Sequence, residues 1–147
     1  MRVDVDKVHF SSERQDWATP QSIFDEISAK HGPFDLDVCA TEDNAKCEVF
    51  FDPITDGLSP LNPWIGNCWM NPPYGRNIKQ WVRKAVFSVK FGEAIKVVCL
   101  LPARTDTRWW HDYVIPYGKV EFYKGRIRFE GAIHSAPFPS AIVVFEK

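Results

Sequence analysis

Two periodicities alternate along the chain. Ile23, Phe24 and Ile27 recur at helical spacing behind Thr19, a residue type that caps helices, and Pro20, which suits a first helical position. With His31-Gly32 as a stop, the pattern predicts a helix over about 20–31. "FDLDVCA" then reads as a short strand whose end carries Asp37. "TEDNAKCEVFFD" has room for about one or two helical turns before a brief strand at about 48–51, and "PITDGLSPLNPWIGN" is a connection rich in Pro, Gly and Asn. After "CWM", the residues Ile78, Trp81, Val82, Ala85, Val86 and Val89 predict an amphipathic helix over about 77–91. "AIKVVCLLP" is a continuous apolar run of the kind buried on both faces of a sheet. "TRWWHDYVIPYG" reads as a short helix closed by Pro116 and Gly118, "KVEFYKGRIRFEG" as a hairpin around Lys124-Gly125, and "SAIVVFEK" as a final strand. Strands alternating with helices predict an α/β domain over residues 16–147, preceded by an arm over residues 1–15 where apolar anchors are few. Its sheet is expected to be mostly parallel with an antiparallel hairpin at the C-terminus, and ligands are expected at the carboxyl ends of the strands.

Composition narrows the class. The 147 residues, 45% hydrophobic and 14% aromatic, suffice for one domain with a real core. No apolar run is long enough to cross a bilayer, and the charged first segment "MRVDVDKVHFSSERQD" does not read as a signal peptide, so a cytoplasmic location is the expectation. Cys39, Cys47, Cys68 and Cys99 form no C-x-x-C pair, and reduced, packed thiols are favoured over zinc ligation. His9, His31, His111 and His134 share no metal-ligand spacing, and Trp109 and Trp110 read as packing residues. A net charge of -1 excludes a global basic field, so contact with a polyanion must be local. Most Lys and Arg fall between Arg76 and Arg128, whereas residues 35–56 are acid-rich; that asymmetry suits an anionic partner on one side and a cationic ligand on the other.

The stretch "NPPY", Asn71 to Tyr74, follows a strand and precedes a helix, which places it at the ligand crevice of an open α/β sheet. Pro72 and Pro73 have no N–H to give to the sheet and fix their own φ, so the loop is stiff and presents carbonyl oxygens. Asn71 adds a side-chain oxygen, and two such acceptors match the two hydrogens of one planar amino group. An exocyclic amine is a poor nucleophile because its lone pair is delocalised into the ring. Acceptors on both hydrogens favour the pyramidal geometry that attacks an electrophilic methyl group. Tyr74 offers a face on which an extruded base could stack. The same residues also suit an ordinary turn.

With "WATP", "FDLDVCATEDNAKC", "DGL" and "NPPYGR" in that order, residues 15–145 resemble the small phage-type DNA N-6-adenine-methyltransferases (Dam-like), amino-methyltransferases that use S-adenosyl-L-methionine. The resemblance implies a Rossmann-like methyltransferase fold, transfer of methyl to adenine N6 in double-stranded DNA, and catalytic roles for Asn71, Pro72, Pro73 and Tyr74. It also implies cofactor roles for Trp17, Thr19 and Pro20 of the N-terminal motif, with a helix N-terminus for the methionine carboxylate. Asp37 would lie near the methionine ammonium, with Cys39 and Ala40 in the adjoining turn, and Asp52 and Asp56 would take the ribose hydroxyls and the cofactor's adenine amine. Asp37 reads equally as a plain helix cap. The chain departs from larger methyltransferases in having "DVCATED" where they carry a glycine-rich "F-x-G-x-G". Arg76, Lys79, Arg104, Arg108, Arg126 and Arg128 are the candidate DNA contacts, the last two turned to one face by alternation with Ile127 and Phe129. Methylation of a glutamine amide or an RNA base through the same loop, and a nucleic-acid-binding module without turnover, remain the alternatives.

Overall fold

A computed structural model describes residues 17–147; the arm expected over residues 1–15 lies outside the described residues. Helix α1 spans Gln21–His31 and buries Phe24 and Ile27, with Ile23 half-buried beside them. Pro20, not Thr19, is its N-cap: the Pro20 carbonyl accepts from the amides of Ile23 and Phe24, and no side chain caps the helix. The chain then forms β1 (Leu36–Asp37), β2 (Gly66–Met70), α2 (Ile78–Phe91), β3 (Ala94–Pro102), a π-helical turn (Trp110–Val114) running into α3 (Ile115–Tyr117), β4 (Lys119–Phe122) and β5 (Ser140–Glu146). Helix α2 buries all six of the residues whose spacing predicted it.

Three segments differ from expectation. Residues 41–47 make turns and no helix, and the strand expected at 48–51 is reduced to one parallel bridge between Phe50 and Asp37. Pro116 lies inside the last helical turn, leaving Gly118 alone to end it. The chain does turn at Gly125, at φ 83, but residues 126–129 do not return as a strand. Ile127 and Phe129 are fully buried away from the sheet edge, and the antiparallel partner of β4 is β5, in register from Lys119↔Val144 to Phe122↔Ala141.

The sheet order is β1-β2-β3-β5-β4. β1, β2 and β3 are parallel, β5 is antiparallel to β3, and β4 is antiparallel to β5, so four of the five strands share one direction. Their carboxyl ends therefore lie along one edge, and the loops that start at Val38, Asn71, Ala103 and Tyr123 all leave from it. β3 at the centre is almost wholly buried, and β5 is buried from Ser140 to Phe145. α1 reaches from β2, where Phe24 meets Trp69 edge-to-face, to β4, where Lys30 and His31 pair with Glu121. Among the described residues no helix is long and apolar enough to cross a membrane.

Candidate active site

The carboxyl ends of β1 and β2 border a cavity of about 260 Å³. It is small beside typical ligand sites of roughly 300–1,000 Å³, but it opens along the sheet edge where open α/β folds bind ligands. One wall is the segment after β2, formed by Asn71, Pro72 and Pro73. A second is Trp17 to Thr19, and a third is Asp37, Cys39 and Ala40 at the end of β1. Asp52, Pro53, Asp56 and Gly57 complete it from the loop beyond Phe51.

Asn71 carries the most informative hydrogen bonding. Its Nδ2 donates to the Trp17 carbonyl, in a short contact, and to Thr19 Oγ1 at 2.8 Å. A backbone carbonyl can only accept, so the Trp17 oxygen fixes which end of the Asn71 amide is NH2. Both amide hydrogens are thereby used, and Asn71 Oδ1 is left as a buried acceptor with no partner. Buried acceptors are normally bonded, and leaving one free costs about 1–3 kcal/mol, so Oδ1 is a candidate acceptor for a ligand at the cavity that Asn71 lines. The Pro72 carbonyl accepts no backbone hydrogen bond among the described residues either.

Asp37 is 2% exposed. Its Oδ1 accepts from the Cys39 amide at 3.2 Å and its Oδ2 from the Lys46 amide at 3.0 Å, so it organises the turn after β1 and caps no helix. Two amides do not offset its burial, which pushes the carboxyl up to about 6. The Lys46 charge pulls the other way without offsetting the burial. Burial, together with the Asp37 charge, pushes the neighbouring Cys39 thiol up to about 12, so that sulfur is no nucleophile. Asp52 closes its own turn, with Oδ1 accepting from the amides of Ile54 and Thr55 and from the Thr55 hydroxyl. Those bonds hold its carboxyl below the usual range. Asp56 takes a left-handed φ of 64 and accepts from the Leu58 amide.

Ten of the twelve residues expected to serve catalysis or cofactor binding line this one cavity; Pro20 and Tyr74 do not. Pro20 caps α1 instead. Tyr74 is 4% exposed, its hydroxyl donates to the Leu100 carbonyl at 2.9 Å, and its ring packs edge-on against Phe129 and Phe138. No open face is left for a base to stack on, so Tyr74 here supports the loop from below. Trp69, Trp81, Phe51, Lys46 and Gly57 also line the cavity without having been expected there. Trp81, whose spacing predicts the buried face of α2, also borders the cavity. Gly57 lies in the "DGL" segment, and a Cβ there would stand 2.1 Å from the Val38 carbonyl, so only glycine permits the approach to β1.

None of the six candidate DNA-contacting residues lines the cavity, yet all follow strand ends on the same edge. Arg76 and Lys79 come after β2, Arg104 and Arg108 after β3, and Arg126 and Arg128 after β4. All but the half-buried Arg104 are exposed. Arg126 and Arg128 do share the exposed side of their segment, as alternation predicted, although that segment is a loop. It is anchored by Arg126 Nη1 to the Ala136 carbonyl and by Arg128 Nε to the Ala132 carbonyl. Arg104 lies 5.7 Å from the centre of the Phe138 ring.

Residues 7–143 match the family model of the DNA N-6-adenine-methyltransferases (Dam). The chain is 34% identical over 97 residues to a DNA N-6-adenine-methyltransferase of Escherichia phage T1, covering 64% of this chain and 38% of that protein. It is 36% identical over 101 residues to the enzyme of the same name from Haemophilus phage HP1, covering 67% of this chain and 56% of that one. The matched stretches thus span only part of these relatives. In fold it is similar to the 23S rRNA methyltransferase ErmE, with a TM-score of 0.56 at 13% identity over 90% of this chain and 70% of that one. The chain belongs to the DNA N-6-adenine-methyltransferase (Dam) family.

Proposed function

We propose that residues 16–147 form one methyltransferase domain that moves a methyl group from S-adenosyl-L-methionine to the N6 amine of adenine in double-stranded DNA, in the cytoplasm. The observation that carries this reading is Asn71 Oδ1, a buried acceptor without a partner whose own amide hydrogens are both occupied. The chemistry of the lining suits the cofactor. Asp37 is a buried carboxylate on which the nearby Lys46 charge does not offset the cost of burial, and it would take the methionine ammonium. Lys46, whose Nζ reaches Gln21 in the first turn of α1, adds positive charge beside a helix N-terminus for the methionine carboxylate. Asp52 and Asp56 supply acceptors for hydroxyl and amino hydrogens.

When bound, S-adenosyl-L-methionine supplies an electrophilic methyl group on a sulfonium. The residues of this chain would then hold the amine. Asn71 Oδ1 and the Pro72 carbonyl accept the two N6 hydrogens, which pulls the nitrogen lone pair out of conjugation and aims it along the line of attack. Transfer would leave neutral S-adenosyl-L-homocysteine and one surplus proton on the methylated nitrogen, which Asn71 Oδ1 and the Pro72 carbonyl would hold by hydrogen bonds until bulk solvent takes it. No general base is needed. The exposed arginines and lysines around the edge would bind phosphates and so bring an unpaired adenine to the mouth of the cavity.

Transfer of labelled methyl from S-adenosyl-L-methionine to unmethylated plasmid, with nucleoside analysis, tests the reading. N6-methyladenine is expected, and Asn71→Ala should abolish it while cofactor binding persists. Label recovered in protein, or an Asn71→Ala variant with full activity, would overturn it.

A further inference from the structure

One turn of α2 beyond Trp81, Lys84 directs its ammonium group into the loop that closes the cavity. Its Nζ donates to the carbonyls of Gly57, Ser59 and Asn62, each at 2.8 Å, which uses all three hydrogens. It also lies 5.3 Å from the centre of the Trp64 ring, and among the described residues it forms no ion pair. Partial burial draws the ammonium below its ordinary value, against the pull of Asp56. A lysine whose only polar partners are three carbonyls of one loop acts as a cross-link, and charge-assisted bonds are the stronger kind.

The loop is tightened from the other side as well. Asn62 Nδ2 donates to the carbonyls of Thr55 at 2.6 Å and Asp56 at 2.9 Å. Trp64 Nε1 donates to the Gly57 carbonyl at 2.9 Å, so that oxygen accepts two bonds. Asp56 is held at a positive φ that a side chain rarely adopts, and Gly57 is pressed against the end of β1. The clamped stretch begins at Gly57, directly after Asp56.

We propose that Lys84 is a positioning residue for the cofactor: its clamp on residues 57–62 sets Asp52 and Asp56 at the distance from Asp37 that lets all three carboxylates serve one ligand. The inference rests on the reading of the cavity as the S-adenosyl-L-methionine site. Lys84 touches neither reactant. It acts through the loop, so its loss should weaken cofactor binding and leave the chemical step alone.

The test is Lys84→Met, which keeps the apolar stem and removes the donors. S-adenosyl-L-methionine binding is measured by calorimetry, kcat at saturating cofactor by methyl transfer, and amide exchange over residues 54–62 without ligand. A Kd raised by about tenfold or more is expected, with kcat within about threefold and faster exchange in the loop. Asn62→Ala, which loosens the same loop by a smaller change, should act in the same direction and covers failure of Lys84→Met to fold. Asn62→Ala or Lys84→Met with unaltered Kd would overturn the inference, as would a kcat that falls at constant Kd. If the unsubstituted protein binds no S-adenosyl-L-methionine, the functional reading itself fails and this inference with it; binding by the unsubstituted protein equal to that by both variants overturns this inference alone.

Discussion

Thr19→Val separates the two roles open to Thr19. Thr19 is buried, and its Oγ1 accepts one of the two Asn71 amide hydrogens at 2.8 Å. Valine keeps the shape and removes the acceptor. The Trp17 carbonyl still holds the other hydrogen, so half of the restraint on Asn71 survives. A buried N–H without an acceptor costs about 1–3 kcal/mol. Rotating the amide would relieve that penalty, and in the proposed reading it would turn Oδ1 away from the substrate amine. If most of it falls on the transition state, kcat drops by about 10- to 100-fold. Cofactor Kd should stay within about twofold, because the bond being lost runs to Asn71 and not to a ligand. The assay is single-turnover methyl transfer at saturating DNA and cofactor, paired with direct cofactor binding. Thr19→Ser, which restores the acceptor, should recover most of the rate. A Thr19→Val protein with full kcat and a weakened Kd would refute the reasoning and return Thr19 to the cofactor role that the sequence suggested.

Asp37→Asn tests the buried carboxylate. Its folded value of about 6 lies above the unfolded 3.8, so between those pH values the native protein holds a proton that the unfolded chain has released. Stability of the ligand-free protein should therefore fall by up to about 3 kcal/mol as pH rises through that window, and Asp37→Asn should flatten the decline in urea titrations. In the proposed cofactor site, affinity for S-adenosyl-L-methionine should weaken as pH drops below about 6 and Asp37 loses its charge; a pH-independent Kd would count against the ammonium contact. Tyr74→Phe removes the bond to the Leu100 carbonyl and should lower stability by about 1 kcal/mol, with kcat within about threefold, because the hydroxyl does not face the cavity. A large loss of kcat at unchanged stability would place that hydroxyl in the reaction. Arg128→Ala should reduce the salt dependence of DNA affinity by about one unit of log–log slope and leave cofactor binding unchanged, measured by fluorescence anisotropy across ionic strengths.

The helices and strands with strong periodicity were legible in the sequence because burial imposes it. α2 declares its buried face at six positions, and β3 its two-sided burial as an unbroken apolar run. The motif's place was legible because a strand before it and an amphipathic helix after it put Asn71 to Pro73 at a strand's carboxyl end, where they line the cavity. What could not be read was decided by contacts between distant segments. Ile127 and Phe129 alternate with charged residues as a half-buried strand would, but Phe129 is buried in an aromatic cluster, its ring 5.4 Å from that of Trp17 and 6.1 Å from that of Tyr74. Tyr74 looks like an open platform until the loop after β4 folds over it. Thr19 carries every mark of a helix cap, yet its hydroxyl faces a partner 52 residues away. Local pattern gives the period of burial and not the partner.

The same distance explains why Trp17 matters more than its place near the chain's start suggests. Its ring packs edge-on against Phe129 and Phe138, in the loop after β4 that carries Arg126 and Arg128. Its backbone carbonyl binds the Asn71 amide. The Glu130 amide donates to the Ala18 carbonyl, and the Ala103 amide to the Pro139 carbonyl, which fastens that loop to the segment around Trp17 and to the end of β3. Tyr74 meets Phe129 and Phe138 from the motif side. The basic loop and Asn71 are thus joined through packed rings and hydrogen bonds, so that residues far apart in the chain meet around Trp17.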